Sequence, residues 1–346
     1  LEGTGRIETD AETIRWQPAA SGGVLSWSVA VEHRRNGDGY DAWLGQDWGV
    51  FRAEDVMPRA ATRTLRGAFS RTRLVLQLPD GWSAVTEYLE RDGEFRVDNP
   101  ARRFDQPTGW MAVGRIGVRR DIIAGSRVAV AGPVGQSIRR LDILALLNWS
   151  LPELGRILPE LPPRVTVVVA GEPMWRGGLS APQSLFLHAS RPLLSENATS
   201  TVLHEVMHIA LGLRSEPGYD WIIEGLAEYY SLELLRRSGT ISRARYERAR
   251  RDQQEWAESA TTLCARVSSG ARTALAVTTL IRIDAELRQA SAGTVTLDDV
   301  TRSLWSQDAP VDADVLRMAL AAAAPDKPDL LHSEDLPGCD NWPDNG

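Results

Sequence analysis

Apolar positions in the first 132 residues come in short runs. VLSWSVAVEH (24–33), TRLVLQLPDGW (72–82), GEFRVD (93–98), GWMAVGRIGVRRDII (109–123) and SRVAVAG (126–132) are each bounded by Gly, Asp, Asn or Pro. Such runs, with turn residues between them, predict an all-β unit. At AGPVGQSIRR the pattern changes. From Ser137 to Leu158, the residues Ile138, Leu141, Ile143, Leu144, Leu146 and Leu147 recur at helical spacing. RVTVVVAG (164–171) predicts a buried strand and SLFLHAS (184–190) a shorter one. From about Asn197 onward nearly everything reads as helix. The stretch LLRRSGTISRARYERARRDQQEWAES mixes charge signs along its length, which predicts a solvated helix face and not a basic patch. The expected fold class is α+β. Its parts are a β-sheet domain over 1–132, an α/β unit over 133–240, a helical region over 241–330 and a tail over 331–346.

Composition narrows the function. The 346 residues carry a net charge of −7, which excludes nucleic acid as an expected partner. Lys327 is the only lysine and lies beside Pro328, so neither a P-loop nor a Schiff base is expected. No run of apolar residues is long enough to predict a membrane span. The chain starts at Leu1 instead of methionine, and the expectation is that an N-terminal segment was removed, by signal processing or by truncation. Two cysteines, Cys264 and Cys339, are either a disulfide pinning the tail LPGCDNWPDNG or two free thiols. The disulfide would suit a periplasmic or extracellular location.

The segment HEVMHIALGLRSEPGYDWIIEGLAEYY (204–230) carries the candidate chemistry. Val202, Leu203, Val206, Met207, Ala210 and Leu211 make a broad apolar surface, so the helix holding them is expected to be buried on most sides. His204 and His208 stand at i and i+4 and therefore share a face, where both rings can reach one ion. Glu205 is the next residue round the helix, beside that ion and not aimed at it, which is the place for a general base. Burying two histidines and a carboxylate without a metal would carry a large desolvation cost. Pro217 and Gly218 then turn the chain, and WIIEGLAEYYSLELL brings Glu224 and Glu228, again at i and i+4. A catalytic zinc needs a third protein ligand. One of these glutamates can ligate while the other hydrogen-bonds a ligand histidine.

H-E-x-x-H followed by W-x-x-E-G-x-A-E-Y resembles the gluzincin metallopeptidases, most of all the glycyl aminopeptidase-type family and the related large zinc aminopeptidases. The resemblance implies a thermolysin-like catalytic domain between the β domain and the helical region. It also implies one zinc per chain, held by His204, His208 and Glu224, with Glu228 supporting a ligand histidine. Fifteen residues separate His208 from Glu224, shorter than the family's usual spacing, and nineteen separate it from Glu228. The glutamate directly before the glycine matches Glu224. LPDGWSAVT and SAGTVTLDDVTRSLW are similar to elements of the family's N-terminal and C-terminal regions. The implied activity is peptide hydrolysis, on peptide or protein substrates. Zinc polarises the scissile carbonyl and lowers the pKa of its water, and Glu205 moves the proton to the leaving amine.

Two positions depart from the family. Its upstream G-G-L-E or G-x-M-E-N type stretch supplies a glutamate for the substrate's free amine. Here RGGLSAPQSLFLH (176–188) keeps Gly177 and Gly178 but has Ser180 in that place. Glu172 is the nearest other carboxylate in sequence. The family tyrosine that steadies the oxyanion corresponds to Val267, leaving Tyr229, Tyr230, Tyr246 and His188 as candidates. RGGLSAPQSLFLH is expected to be the edge strand along which a peptide lies, with His188 within it near the zinc. These departures leave open a second reading, a peptide-binding relative whose catalysis is weakened.

Overall fold

The computed structural model describes every residue except 1, 11–12, 36, 38, 58–65, 68–69, 100–105, 308, 328, 333–335, 338 and 340–346. The end of the expected tail therefore lies outside the described residues. The chain is mixed α+β, with a β-rich N-terminal region followed mainly by helices.

In the N-terminal region, His33–Arg34, Tyr40–Leu44, Trp48–Arg52, Trp110–Gly114 and Ser83–Val85 form an antiparallel sheet in that spatial order. A three-stranded sheet of Leu89–Arg91, Glu94–Val97 and Thr72–Leu74 lies in the same region. The run VLSWSVAVEH differs from expectation. Only its ends are strands, Leu25–Ser26 and His33–Arg34. Val24, Trp27 and Val29 stay exposed, so no buried sheet face draws the middle of the run into a ladder. Conversely, the hairpin Tyr40–Leu44/Trp48–Arg52 was not expected. Asp41, Gly45 and Asp47 interrupt its apolar pattern, yet the Gly45 N–H donates to the Trp48 carbonyl at 2.9 Å and closes the turn.

The central sheet runs in the order Ile116–Ile123, Ser126–Pro133, Arg164–Ala170, Ser184–His188, Gly178–Ala181. Its three middle strands are parallel and its two outer strands antiparallel. The runs read as the end of the β region thus divide. Trp110–Gly114 stays in the N-terminal sheet, while Ile116–Ile123 and Ser126–Pro133 open the central one. A parallel pair needs a long crossover, and the helix Arg140–Ile157 supplies it. Its buried residues Ile143, Leu147, Leu151 and Leu154 join a core with Val165, Val167 and Val169. On the other face Val168 and Ala170 pack with Val50, Trp110 and Phe186. Both faces are covered, so RVTVVVA is buried along its whole length and every residue but Arg164 and Thr166 is apolar.

The predicted edge strand RGGLSAPQSLFLH is in fact a hairpin. Gly178–Ala181 forms the edge and Ser184–His188 the strand inside it. Pro182 and Gln183 make the turn, because proline cannot supply the N–H that a continuing ladder needs. His188 therefore sits on an inner strand.

The helical part contains Thr201–Leu211, Asp220–Arg237, Arg243–Ala257, Ala271–Ala290, Leu297–Trp305 and Ala313–Ala323. The mixed-charge stretch is two helices, broken near Gly239 and restarted where the Ser242 hydroxyl accepts from the Arg245 N–H. Cys264 and Cys339 are joined in a disulfide that ties the tail to the loop ahead of Ala271–Ala290. Among the described residues, no helix is long and apolar enough to cross a membrane.

Candidate metal centre

The helix Thr201–Leu211 starts at Ser200, whose hydroxyl accepts from the Leu203 N–H, and stops at Gly212, whose N–H returns to the His208 carbonyl. Val202, Leu203, Val206 and Met207 are fully buried, and this fixes the rotation of the helix. His204 and His208 are left on its one remaining face. The helix Asp220–Arg237 lies against that face. Glu224 reaches both histidines, at 3.2 Å from His204 Nε2 and 3.3 Å from His208 Nε2. One turn on, Glu228 reaches only His204, at 3.1 Å from Nδ1. Moving from Glu224 to Glu228 therefore moves from both rings toward His204 alone, so the helices run in opposite senses.

Gly225 lets this happen without strain. A Cβ there would stand 2.8 Å from Ala276 Cβ, so the glycine after Glu224 admits the helix Ala271–Ala290 at close range. That contact holds the Glu224 helix from behind.

His204 Nε2 and His208 Nε2 are 3.1 Å apart. Two imidazole nitrogens thus face the two oxygens of one carboxylate, Oε2 lying 3.2 Å from His204 Nε2 and Oε1 3.3 Å from His208 Nε2. Ligands bonded at about 2.0–2.1 Å to one tetrahedral ion are about 3.3–3.4 Å apart. Among the described residues, His204, His208 and Glu224 are the one group of three or more His, Cys, Asp and Glu side chains placed to hold an ion, their ligand atoms lying within 4.8 Å of one another. The set could hold one zinc-sized ion. Glu228 accepting from Nδ1–H would leave the Nε2 lone pair of His204 facing the cluster.

The electrostatics agree with a cation-binding cluster. Burial works against a charged His204 ring, but the Glu224 and Glu228 carboxylates outweigh it and raise the ring to about 10. Burial likewise works against a charged Glu224, but the two histidines pull it down to about 2. Metal binding at such residues is coupled to proton release.

Glu205 is almost wholly buried and lies against the edge strand. A Cβ at Gly178 would stand 3.1 Å from Glu205 Oε1 and 2.4 Å from Thr201 Cγ2. The structure therefore brings together His204, Glu205, His208, Glu224, Glu228 and Gly178. Gly177 is one step further out, its carbonyl accepting the His188 N–H at 2.9 Å. Pairing alternates along an antiparallel ladder. With Gly177 bonded to His188, the backbone groups of Gly178 and Ser180 face the open edge. The Leu179 carbonyl accepts instead from the Trp110 indole N–H, at 2.8 Å, from the N-terminal sheet.

His188 is not part of the cluster. Its Nδ1 accepts from the Ser190 N–H and meets the Ser190 hydroxyl at 2.7 Å, and burial lowers the ring's pKa. Glu172 is held by Arg176 at 2.7 Å. The three tyrosines considered for the oxyanion point elsewhere. Tyr230 donates to Asp298 and Thr301, Tyr246 donates to Glu233, and Tyr229 lines a separate cavity. Val267 is two-thirds exposed in a loop pinned to the site by Asp220, whose carboxylate accepts the Ser268 N–H at 2.6 Å. Burial raises the Asp220 pKa even against that bond. Asp220 is the site residue that sequence reasoning passed over. It stands four residues before Glu224, on the same helix face, and that spacing was the signal.

No family model and no curated protein matches the chain. Solved structures do. An aminopeptidase N family protein from Idiomarina loihiensis superposes with a TM-score of 0.59 at 19% identity, over 82% of this chain and 55% of that one. Native leukotriene A4 hydrolase from Saccharomyces cerevisiae gives 0.54 at 16% identity, over 79% and 47%. At such identities the likeness is one of fold. The chain spans about half the length of the structures it matches.

Proposed function

We propose that this protein is a zinc-dependent peptidase that hydrolyses peptide bonds in peptide or protein substrates. The observation that carries the reading is the convergence of His204, His208 and Glu224 donor atoms, with Glu205 between them and an open strand edge. The fold shared with an aminopeptidase N family protein supports it. His204, His208 and Glu224 would hold the ion, and Glu228 would orient the His204 ring. When bound, zinc supplies Lewis acidity at the scissile carbonyl and at water. Glu205 holds the proton taken from the attacking water and passes it to the leaving nitrogen. The open backbone groups of Gly178 and Ser180 align an extended peptide as an added strand. The Cys264–Cys339 disulfide supports a periplasmic or extracellular location.

Metal analysis combined with a peptide-library digest tests the reading. The chain is expected to hold one zinc and to cleave, and chelation is expected to stop cleavage. Glu205→Gln is expected to keep the metal and lose about 10²–10⁴-fold in rate. Zinc binding with no cleavage of any peptide would favour the peptide-binding alternative suggested by Ser180 and Val267. Unchanged cleavage by Glu205→Gln would remove the proposed base.

A further inference from the structure

A second polar cavity, of about 550 Å³, lies at the C-terminal end of the Glu224 helix. It is separate from the metal-ligand cluster: Tyr229 and Glu233 line it from this helix, Tyr246 and Arg250 from Arg243–Ala257, and Asp284 and Arg288 from Ala271–Ala290. Its three acidic groups, Glu233, Glu247 and Asp284, are already committed, Glu247 accepting from Arg243 Nε at 2.8 Å. Glu233 accepts from Arg236, Arg237 and the Tyr246 hydroxyl. Asp284 accepts from Arg288 Nε at 2.8 Å and from the Leu297 N–H at 2.8 Å. What remains uncommitted is donors. Arg250 pairs with no carboxylate among the described residues and is held only over the Tyr246 ring, 5.8 Å from its centroid. Arg236 lies over the same ring at 5.4 Å, so the two guanidiniums are held in place by one aromatic ring.

Tyr229 is the informative residue. It is 4% exposed as a residue and lines the cavity. Its hydroxyl has no hydrogen-bond partner among the described residues and is not itself buried, so it opens into the cavity, where a ligand can meet it. Burial, with Asp284 and Glu233 nearby, pushes its pKa well up, so the group stays an O–H donor. An acceptor-rich ligand is the chemistry that fits spare guanidinium N–H groups and one O–H open to the cavity.

We propose that this cavity binds a small oxyanion, a phosphate or carboxylate group, held by Arg250 and the Tyr229 hydroxyl with the outer N–H groups of Arg288. The cavity has room for more than inorganic phosphate alone. The test is calorimetric titration and thermal melting of the full chain with inorganic phosphate, pyrophosphate and citrate. Ionic strength is held constant with potassium chloride, and the phosphate and citrate arms separate the two ligand sources. At least one of the three is expected to bind and to raise the melting temperature beyond the chloride control. Arg250→Gln is expected to weaken binding roughly 10–100-fold, and Tyr229→Phe, which keeps the ring and the fold, roughly 10-fold. The absence of binding up to about 10 mM by all three probes would overturn the proposal. Equal affinity in wild type and both variants would overturn it as well. None of these readouts depends on zinc or on peptide cleavage.

Discussion

A methyl group on residue 178 would meet Thr201 and Glu205 at the same time, so that glycine sets the gap between the strand edge and the base. Gly178→Ala is expected to cost about 1–3 kcal/mol of stability, the usual range for overpacking. Because it moves Glu205 and not the ligand atoms, peptide turnover should fall while zinc content holds. Denaturation and metal analysis on one sample check both parts, and a variant with normal turnover would show that the gap can widen freely. The two glutamates are separable in the same way. Glu224→Ala is expected to abolish zinc binding, and Glu228→Ala to weaken it roughly 10–100-fold. A competitive chelator titration ranks them, and the reverse order would hand the ligand role to Glu228. His204, Glu205 and His208 were legible in the sequence because a helical period fixes their relative directions. Spacing alone left Glu224 and Glu228 open, since the choice depends on where a seven-residue loop (213–219) delivers the second helix, and it was the family resemblance that pointed to Glu224. Asp220 was hidden for a different reason: its partner is a backbone N–H 48 residues away.

At the scale of elements, the specificity of the proposed peptidase turns on the edge hairpin. Ser180 lies on Gly178–Ala181, in register with Leu185, and carries no charge for a substrate's ammonium group. Glu172, the nearest substitute in sequence, is held by Arg176. A desolvated ammonium–carboxylate hydrogen bond contributes about 1.5–3 kcal/mol, roughly 10–100-fold in preference. Cleavage is therefore expected to tolerate acetylated N-termini, and Ser180→Glu to shift preference toward free ones. Matched acetylated and free peptides make the comparison, and strong rejection of the acetylated form by the wild-type chain would reveal an amine anchor elsewhere. The helices were the legible elements here. The strands were less so, because a two-residue turn such as Pro182–Gln183 hides inside an apolar run. The Tyr40–Arg52 hairpin escaped for the opposite reason, its apolar run being cut by acids that the fold tolerates at a strand's end and in the turn.

For the molecule as a whole, the junction between the two main sheets carries a buried charge problem. Glu87 has no solvent exposure, and Arg164, which opens the strand Arg164–Ala170, stands 3.5 Å away. Burial, only partly offset by Arg164, raises Glu87 to about 7 from its ordinary 4.5. The folded chain thus keeps a proton that the unfolded chain releases from about pH 4.5. Stability should fall as pH rises from there to about 7, by up to about 1.4 kcal/mol per pH unit, and level off above. In Glu87→Gln the decline should flatten across that window. Urea midpoints at pH 5 and pH 7.5 measure it, and an equally steep decline in the variant would locate the titrating group elsewhere. The α+β order was legible at this scale from the change of period near residue 137. The partition of strands between the sheets was not, because only Arg115 stands between Trp110–Gly114 and Ile116–Ile123 to mark where one strand ends and the next begins.

The Trp110 indole, reaching across that junction to the Leu179 carbonyl, has a consequence for how this chain can be divided. It makes the β-rich region a structural wall of the groove, not a detachable neighbour. A fragment cut to begin after residue 115 would retain every proposed metal ligand and the proposed base, yet lose the clamp on Leu179, in the strand proposed to receive the substrate. Such a piece would be a metal-binding core with a slack strand beside it. On the proposed function, cleavage would belong to the two regions jointly, and sequence drift in the first hundred residues would retune it without touching a residue of the metal cluster.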